Sequence, residues 1–302
     1  MLAAYLSDRA TDLLRGLRGP ETAGGLAAAE AAWLVRRSAR RICATLAAHE
    51  ALTDEEWAKR VRGELQWFSG LLVLEHVYAA RLERLLAGLH RLTGPDEDGD
   101  SPPARAVGAA RAAALLQRRL GLARSRAHTA ALDAMGSERF HAAVDAVALL
   151  ASEAPLEGDA SPEVLRAAVE RAQQQLADAV ARLPLQRAGH PYNAEALARG
   201  LDPAPAPEQD TPWRQVRSLL RQVRYAHEVL APAPPPRLLA ASQALDRHRD
   251  AAQAAEAAAS AAHTPRITPT TAYALGVLHA DQRHEVEAAR FTFGRLWERS
   301  TA

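Results

Sequence analysis

TPWRQVRSLLRQVRYAHEVL, residues 211–230, carries the spacing that decides the fold. Its arginines Arg214, Arg217, Arg221 and Arg224 step by three, four and three residues. On a helical period that makes one continuous stripe along one face. A second stretch, LVRRSARRICATL at residues 34–46, places Arg36, Arg37, Arg40 and Arg41 on three to four turns of helix. There Arg36 with Arg40, and Arg37 with Arg41, are like-charge neighbours, each pair costing about 0.2–0.5 kcal/mol in an isolated helix. In a chain whose formal net charge is only +1, such clustering points to something anionic opposite the arginines.

The two stretches align with each other. Arg36 and Arg40 take the same relative places as Arg217 and Arg221, and Trp33 stands where the later stretch has Arg214. Each is followed by a further helical segment, ELQWFSGLLVLEHVYAARL at 64–82 and RLLAASQALDRHRDAAQAA at 237–255. A duplicated helical unit whose two basic helices face each other is the simplest account.

Nothing in the chain alternates as a strand does, and the segments between prolines carry helical spacing, so the fold class is all-α. Helices are expected near 2–18, 26–49, 53–92 with a break near Gly70, 104–135, 137–152, 161–183, 212–231, 236–262 and 270–299. Thr53 with Glu56 reads as a capping box. Ser161-Pro162 and Thr211-Pro212 read as an N-cap followed by a first-turn proline, and Ser137 precedes an apolar run. TGPDEDGDSPP at 93–103 and the proline-laden 189–212 read as linkers, the latter with at most one short helical turn, while APAPPP at 231–236 is a short rigid connection. The expected organisation is one domain over 1–302, with a first repeat over about 1–188, a linker at 189–210 and a second repeat at 211–302.

Composition agrees. At 302 residues, with 48% apolar and 24% charged residues, the chain can bury a substantial core. Alanine dominates the apolar set and aromatics are only 5%, which favours helices packed closely through small side chains. The single cysteine, Cys43, excludes an intrachain disulfide and any multi-thiolate metal site. No long uncharged apolar stretch marks a membrane span, and Asp8 and Arg9 come too early for a signal peptide, so a cytoplasmic protein is expected. Every basic residue except Lys59 is arginine, the side chain that forms paired bonds to phosphate oxygens.

At these residues the chain resembles the CHAD family, all-α proteins built as two pseudo-symmetric antiparallel helical bundles around a basic channel that binds inorganic polyphosphate. Its first repeat has the form His-x-x-Arg-x-x-x-Arg-Arg, met here by Arg36, Arg40 and Arg41 with Trp33 at the histidine and Cys43 at a further arginine. Its second repeat is met by Arg217, Arg224 and Tyr225, with Arg221 for a lysine, Arg214 for the histidine, and Ser218 and Gln222 for basic residues. ELQWFSGLL at 64–72, GSERF at 136–140, VRYAHEVL at 223–230 and TAYALGVLHADQ at 271–282 extend the similarity over nearly the whole chain. His76-Val77 replaces an Arg-Asp pair, and Val73 and Asp246 replace glycines, while Asp250 is kept with His248 nearby. Both signature histidines are missing.

What the resemblance implies is non-catalytic binding of polyphosphate by Arg36, Arg40, Arg41, Arg214, Arg217, Arg221, Arg224 and Tyr225. Polyphosphate granules are a natural place for such a protein. The chemistry fits, because a row of guanidiniums neutralises successive phosphates, releases counterions and forms paired N–H···O bonds. The competing account is that these arginines are solvated or pair with acids such as Glu30, Glu64, Glu228 and Asp250, leaving a structural or adaptor protein that has lost the ligand.

Enzyme chemistry finds little support. The chain has no Gly-rich phosphate loop. RHRD at 247–250 is close to a kinase catalytic loop but no asparagine follows it, and His227-Glu228 and His284-Glu285 lack the second histidine of a zinc helix. No catalytic residue, metal or cofactor is therefore expected, and Cys43 reads as a small core residue. Nucleic acid is disfavoured because few aromatics interleave with the arginines.

Overall fold

In a computed structural model the described residues are 1–19, 25–92, 103–157, 160–190, 192, 194–201, 206–231 and 233–298. They form ten α-helices and two short 3-10 turns, with no strand among them. The helices are α1 (Leu2–Leu17), α2 (Gly25–Ala48), α3 (Glu55–Leu92), α4 (Pro103–Met135), α5 (Glu138–Ser152), α6 (Pro162–Ala181), α7 (Ala194–Leu201), α8 (Ala206–Leu230), α9 (Pro236–Ala262) and α10 (Pro269–Glu298). The all-α fold class expected from the periodicity is what the chain adopts.

Several boundaries differ from expectation for local reasons. Glycine at position 70 does not break α3, which is continuous from Glu55 to Leu92. The cap of α3 is Asp54, whose Oδ1 accepts from the Trp57 amide at 2.6 Å, while the Thr53 hydroxyl turns back to the Glu50 carbonyl. Ser137 does cap α5, accepting from the Phe140 amide at 3.2 Å. The stretch 189–212 contains α7 as well as the first turns of α8, which starts at Ala206 and runs through Pro212. Those turns are held from outside: Asp210 and the Gln209 carbonyl accept from arginines of α10, so ion pairing extends the helix beyond where the proline rule stops it. The linker expected at 93–103 lies outside the described residues except for Pro103.

The chain divides into two compact units that do not follow its order. Unit 1 is Met1–His76, Arg124–Val180 and Ser218–Pro235; unit 2 is Val77–Ala123, Ala181–Arg217 and Pro236–Ala302. The divisions fall inside α3, α4 and α8, at the last residue of α6 and at Pro235, because long helices contribute a different stretch to each unit.

In unit 1, Leu2, Leu6, Ala10 and Leu13 line one face of α1, and Val35, Ala39, Ile42 and Leu46 one face of α2. Val61, Leu65 and Phe68 of α3, Val147 and Leu150 of α5, Leu165 of α6 and Val229 of α8 pack into this core. These i, i+3, i+4 sets are what a half-buried helix requires. In unit 2, α9 packs along α10 through alanines: Ala254, Ala258 and Ala261 are almost fully buried beside Leu275 and Leu278, with Leu85 and Leu89 of α3 and Leu116 of α4. Small side chains let helix axes approach closely, as the alanine-rich composition implies.

Candidate functional site

Helices α2 and α8 meet in unit 1 through their polar faces. Arg41 of α2 donates from Nε to Oε2 of Glu228 at 2.7 Å and from Nη2 to Oε1 at 3.4 Å. Its guanidinium carbon also lies 5.1 Å from the ring centre of Tyr225 on α8. Arg224 approaches the same ring at 4.6 Å and donates to its hydroxyl at 2.7 Å. Tyr225 is thus flanked by two guanidiniums, a favourable cation–π arrangement. Tyr5 of α1 closes the set, its hydroxyl donating to Glu228 Oε2 at 3.1 Å.

The electrostatics follow from partial burial. Desolvation works against the charge of Arg41, but the bonds and charge of Glu228 more than offset it and hold the guanidinium above its ordinary pKa. Burial, and then the Glu228 charge, push the Tyr5 phenol up, so it stays a neutral donor. On α2, Arg36 donates to the Ser69 carbonyl of α3 at 3.2 Å, beside Gly70, where an added Cβ would stand 3.6 Å from Arg36 Nη1. Arg36, Arg40 and Arg221 are each half-buried. Six of the eight candidate residues therefore belong to unit 1: Arg36, Arg40, Arg41, Arg221, Arg224 and Tyr225.

The remaining two belong to unit 2. Arg214 is exposed. Arg217 is buried and donates from Nε to Asp246 Oδ1 at 2.7 Å, with Nη2 against the same oxygen. Burial, and next the neighbouring Arg249, hold its pKa below the ordinary arginine value. The acids considered as partners in the sequence are distributed as follows: Glu228 takes Arg41, Glu64 takes Arg139 and Asp250 takes Arg249. Asp246, read only as a replaced glycine, takes Arg217.

Unit 2 also contains a buried ion cluster that sequence reasoning missed. Asp210 of α8 accepts from Arg283 at 3.0 Å and from Arg290 at 2.6 Å, and Arg290 bonds Glu287 at 2.7 Å. Arg290 Nε also donates to His248 Nε2 at 3.3 Å, and the His248 ring stacks on Trp213. Burial opposes ionisation of Asp210, yet His248, 3.5 Å away, and the charges of Arg283 and Arg290 hold its carboxyl well below the usual range. Burial holds His248 below its ordinary pKa, against the pull of the neighbouring Asp210. The available signal was Arg283, Glu287 and Arg290 at i, i+4 and i+7, a polar stripe on a face of α10 that packs inward.

Cys43 is buried and its thiol is pushed up to about 12 by burial, as befits a core side chain and not a nucleophile. Trp33 is 39% exposed on α2. No helix among the described residues is long and apolar enough to cross a membrane.

A family model described as the CHAD domain matches residues 11–259, most of the chain. The chain belongs to the CHAD family. Among solved structures, PptA from Streptomyces chartreusis is similar to this CHAD protein with 54% sequence identity and a TM-score of 0.83, over 98% of each chain. No curated protein matches it. Within the CHAD pattern, the exposed Trp33 and Arg214 occupy the positions at which the resemblance places the signature histidines.

Proposed function

We propose that this CHAD protein binds inorganic polyphosphate without cleaving it, through the arginines of α2 and α8. The observation that carries this reading is the meeting of Arg41 with Tyr225 and Glu228, which brings the arginine-bearing faces of two helices far apart in sequence to one place in unit 1. Arg36, Arg40 and Arg41 of α2 and Arg221 and Arg224 of α8 belong to this unit, and the reading assigns all five to the ligand. Guanidinium rows of this kind suit a linear chain of phosphates, each unit of which offers oxygens for charge-assisted bonds. The resemblance adds Arg214 and Arg217 of α8, which belong to unit 2. A cytoplasmic place beside polyphosphate granules fits the reading.

Electrophoretic retardation of the protein by polyphosphate of defined length tests it. Retardation at low salt that fades as salt rises is expected; no retardation at low salt contradicts it. One observation favours a second reading, an adaptor that keeps the fold and has lost the ligand: Arg41 and Arg217 already hold carboxylates. A thermal melt separates the two, since a ligand bound by the native state alone raises the melting temperature and an adaptor shows no change.

A further inference from the structure

Arg41 sits where α2 and α8 meet, and its side-on edge, Nε and Nη2, is the one that would take a phosphate in a paired grip. That edge is occupied by Glu228, whose side chain is only 10% exposed and whose Oε2 also accepts from Tyr5. Glu228 lies four residues after Arg224 on α8, so the same helical face that carries Arg221 and Arg224 ends in a carboxylate. A phosphate approaching Arg41 meets a negative charge that has already taken its place.

We infer that Glu228 is a specificity-determining residue that competes with ligand for Arg41 and thereby favours long polyphosphate over short phosphate chains. The inference rests on the polyphosphate reading above. A short anion gains nothing at Arg41 that the carboxylate does not already supply, and it also suffers repulsion from Glu228. A long chain is held by other arginines at the same time, so its local concentration at the remaining contacts is high and the loss of one grip matters less. Tyr5 restrains the carboxylate by sharing Oε2, so it tunes how firmly Glu228 holds Arg41.

The test is a comparison of Glu228→Gln with the parent protein, using tripolyphosphate and a long polyphosphate of defined length, by calorimetric titration at low salt. Glutamine keeps the size and one acceptor while removing the charge. Tripolyphosphate is expected to bind Glu228→Gln on the order of tenfold more tightly, long polyphosphate by much less, so that the preference for length shrinks. The gain should disappear in Arg41→Gln/Glu228→Gln. Tyr5→Phe, which releases the carboxylate toward Arg41, should shift tripolyphosphate affinity the opposite way and serves if Glu228→Gln does not fold. If Glu228 merely positioned Arg41, Glu228→Gln would weaken both ligands; that result, or equal affinity for both, overturns the inference while leaving polyphosphate binding intact. Failure of parent and variants alike to bind either ligand overturns both.

Discussion

Nε of Arg41 lies 2.7 Å from Oε2 of Glu228, across 187 residues of sequence, and this bond is one of the contacts that tie α2 to α8 within unit 1. The side chains are 20% and 10% exposed, so the pair is shielded without being fully dry. Removing the cation leaves a largely buried carboxylate that keeps the Tyr5 hydroxyl as donor but loses the Arg41 charge. Arg41→Ala should destabilise the protein by about 1–3 kcal/mol, read as a shift of the denaturant midpoint with an unchanged slope. A change below a few tenths of a kcal/mol would show the pair to be ornamental.

Asp210 is the pivot of unit 2. It faces Arg283 and Arg290, whose side chains are 2% and 7% exposed, and its replacement by asparagine leaves two buried cations short of a counter-charge. Asp210→Asn should cost about 3–5 kcal/mol. Because the folded pKa is depressed, the contribution of the carboxyl is present above its unfolded pKa of about 3.9 and is lost as pH falls below that value toward the folded one. The parent should therefore lose stability more steeply than Asp210→Asn on acidification below about pH 4, as measured by thermal melts across pH.

Gly108 of α4 lies against the start of α10 in unit 2, where an added Cβ would come within 2.5 Å of the Thr270 carbonyl oxygen. The obstacle is backbone and cannot swing aside. Gly108→Ala, which gains helix propensity by rule, should instead destabilise by about 1–3 kcal/mol. An increase in melting temperature would contradict the close approach.

The thiol of Cys43 is buried and raised to about 12. It should resist a thiol-specific chromophoric reagent at neutral pH in the native protein and react fully once denatured. Rapid native labelling would mean that the α2 core opens.

Much of this architecture was legible because helical spacing and proline punctuation are local signals. The apolar sets of α1, α2 and α3 and the Ser137 cap follow from residues within a few turns of one another. The start of α8 was misplaced because the force that winds 206–211 comes from Arg283 and Arg290, some eighty residues away. The arginine stripes could be read, but their state of pairing could not: nothing near Arg217 announces Asp246, a position that drew notice only as a departure from glycine. Glu228 was visible as one candidate partner among several, and only the fold selects Arg41 for it. The units were hidden for the same reason, since α3, α4 and α8 each serve both.

The account stands or falls on whether α2 and α8 grip one polyanion together, and the salt dependence of long-polyphosphate affinity measures this directly. For the parent, log K should fall linearly with log salt concentration. Arg36→Ala or Arg40→Ala on α2, and Arg221→Ala or Arg224→Ala on α8, should each lower affinity and reduce the slope by about 0.7. A slope that responds to substitutions on one helix alone, or to none, would contradict it.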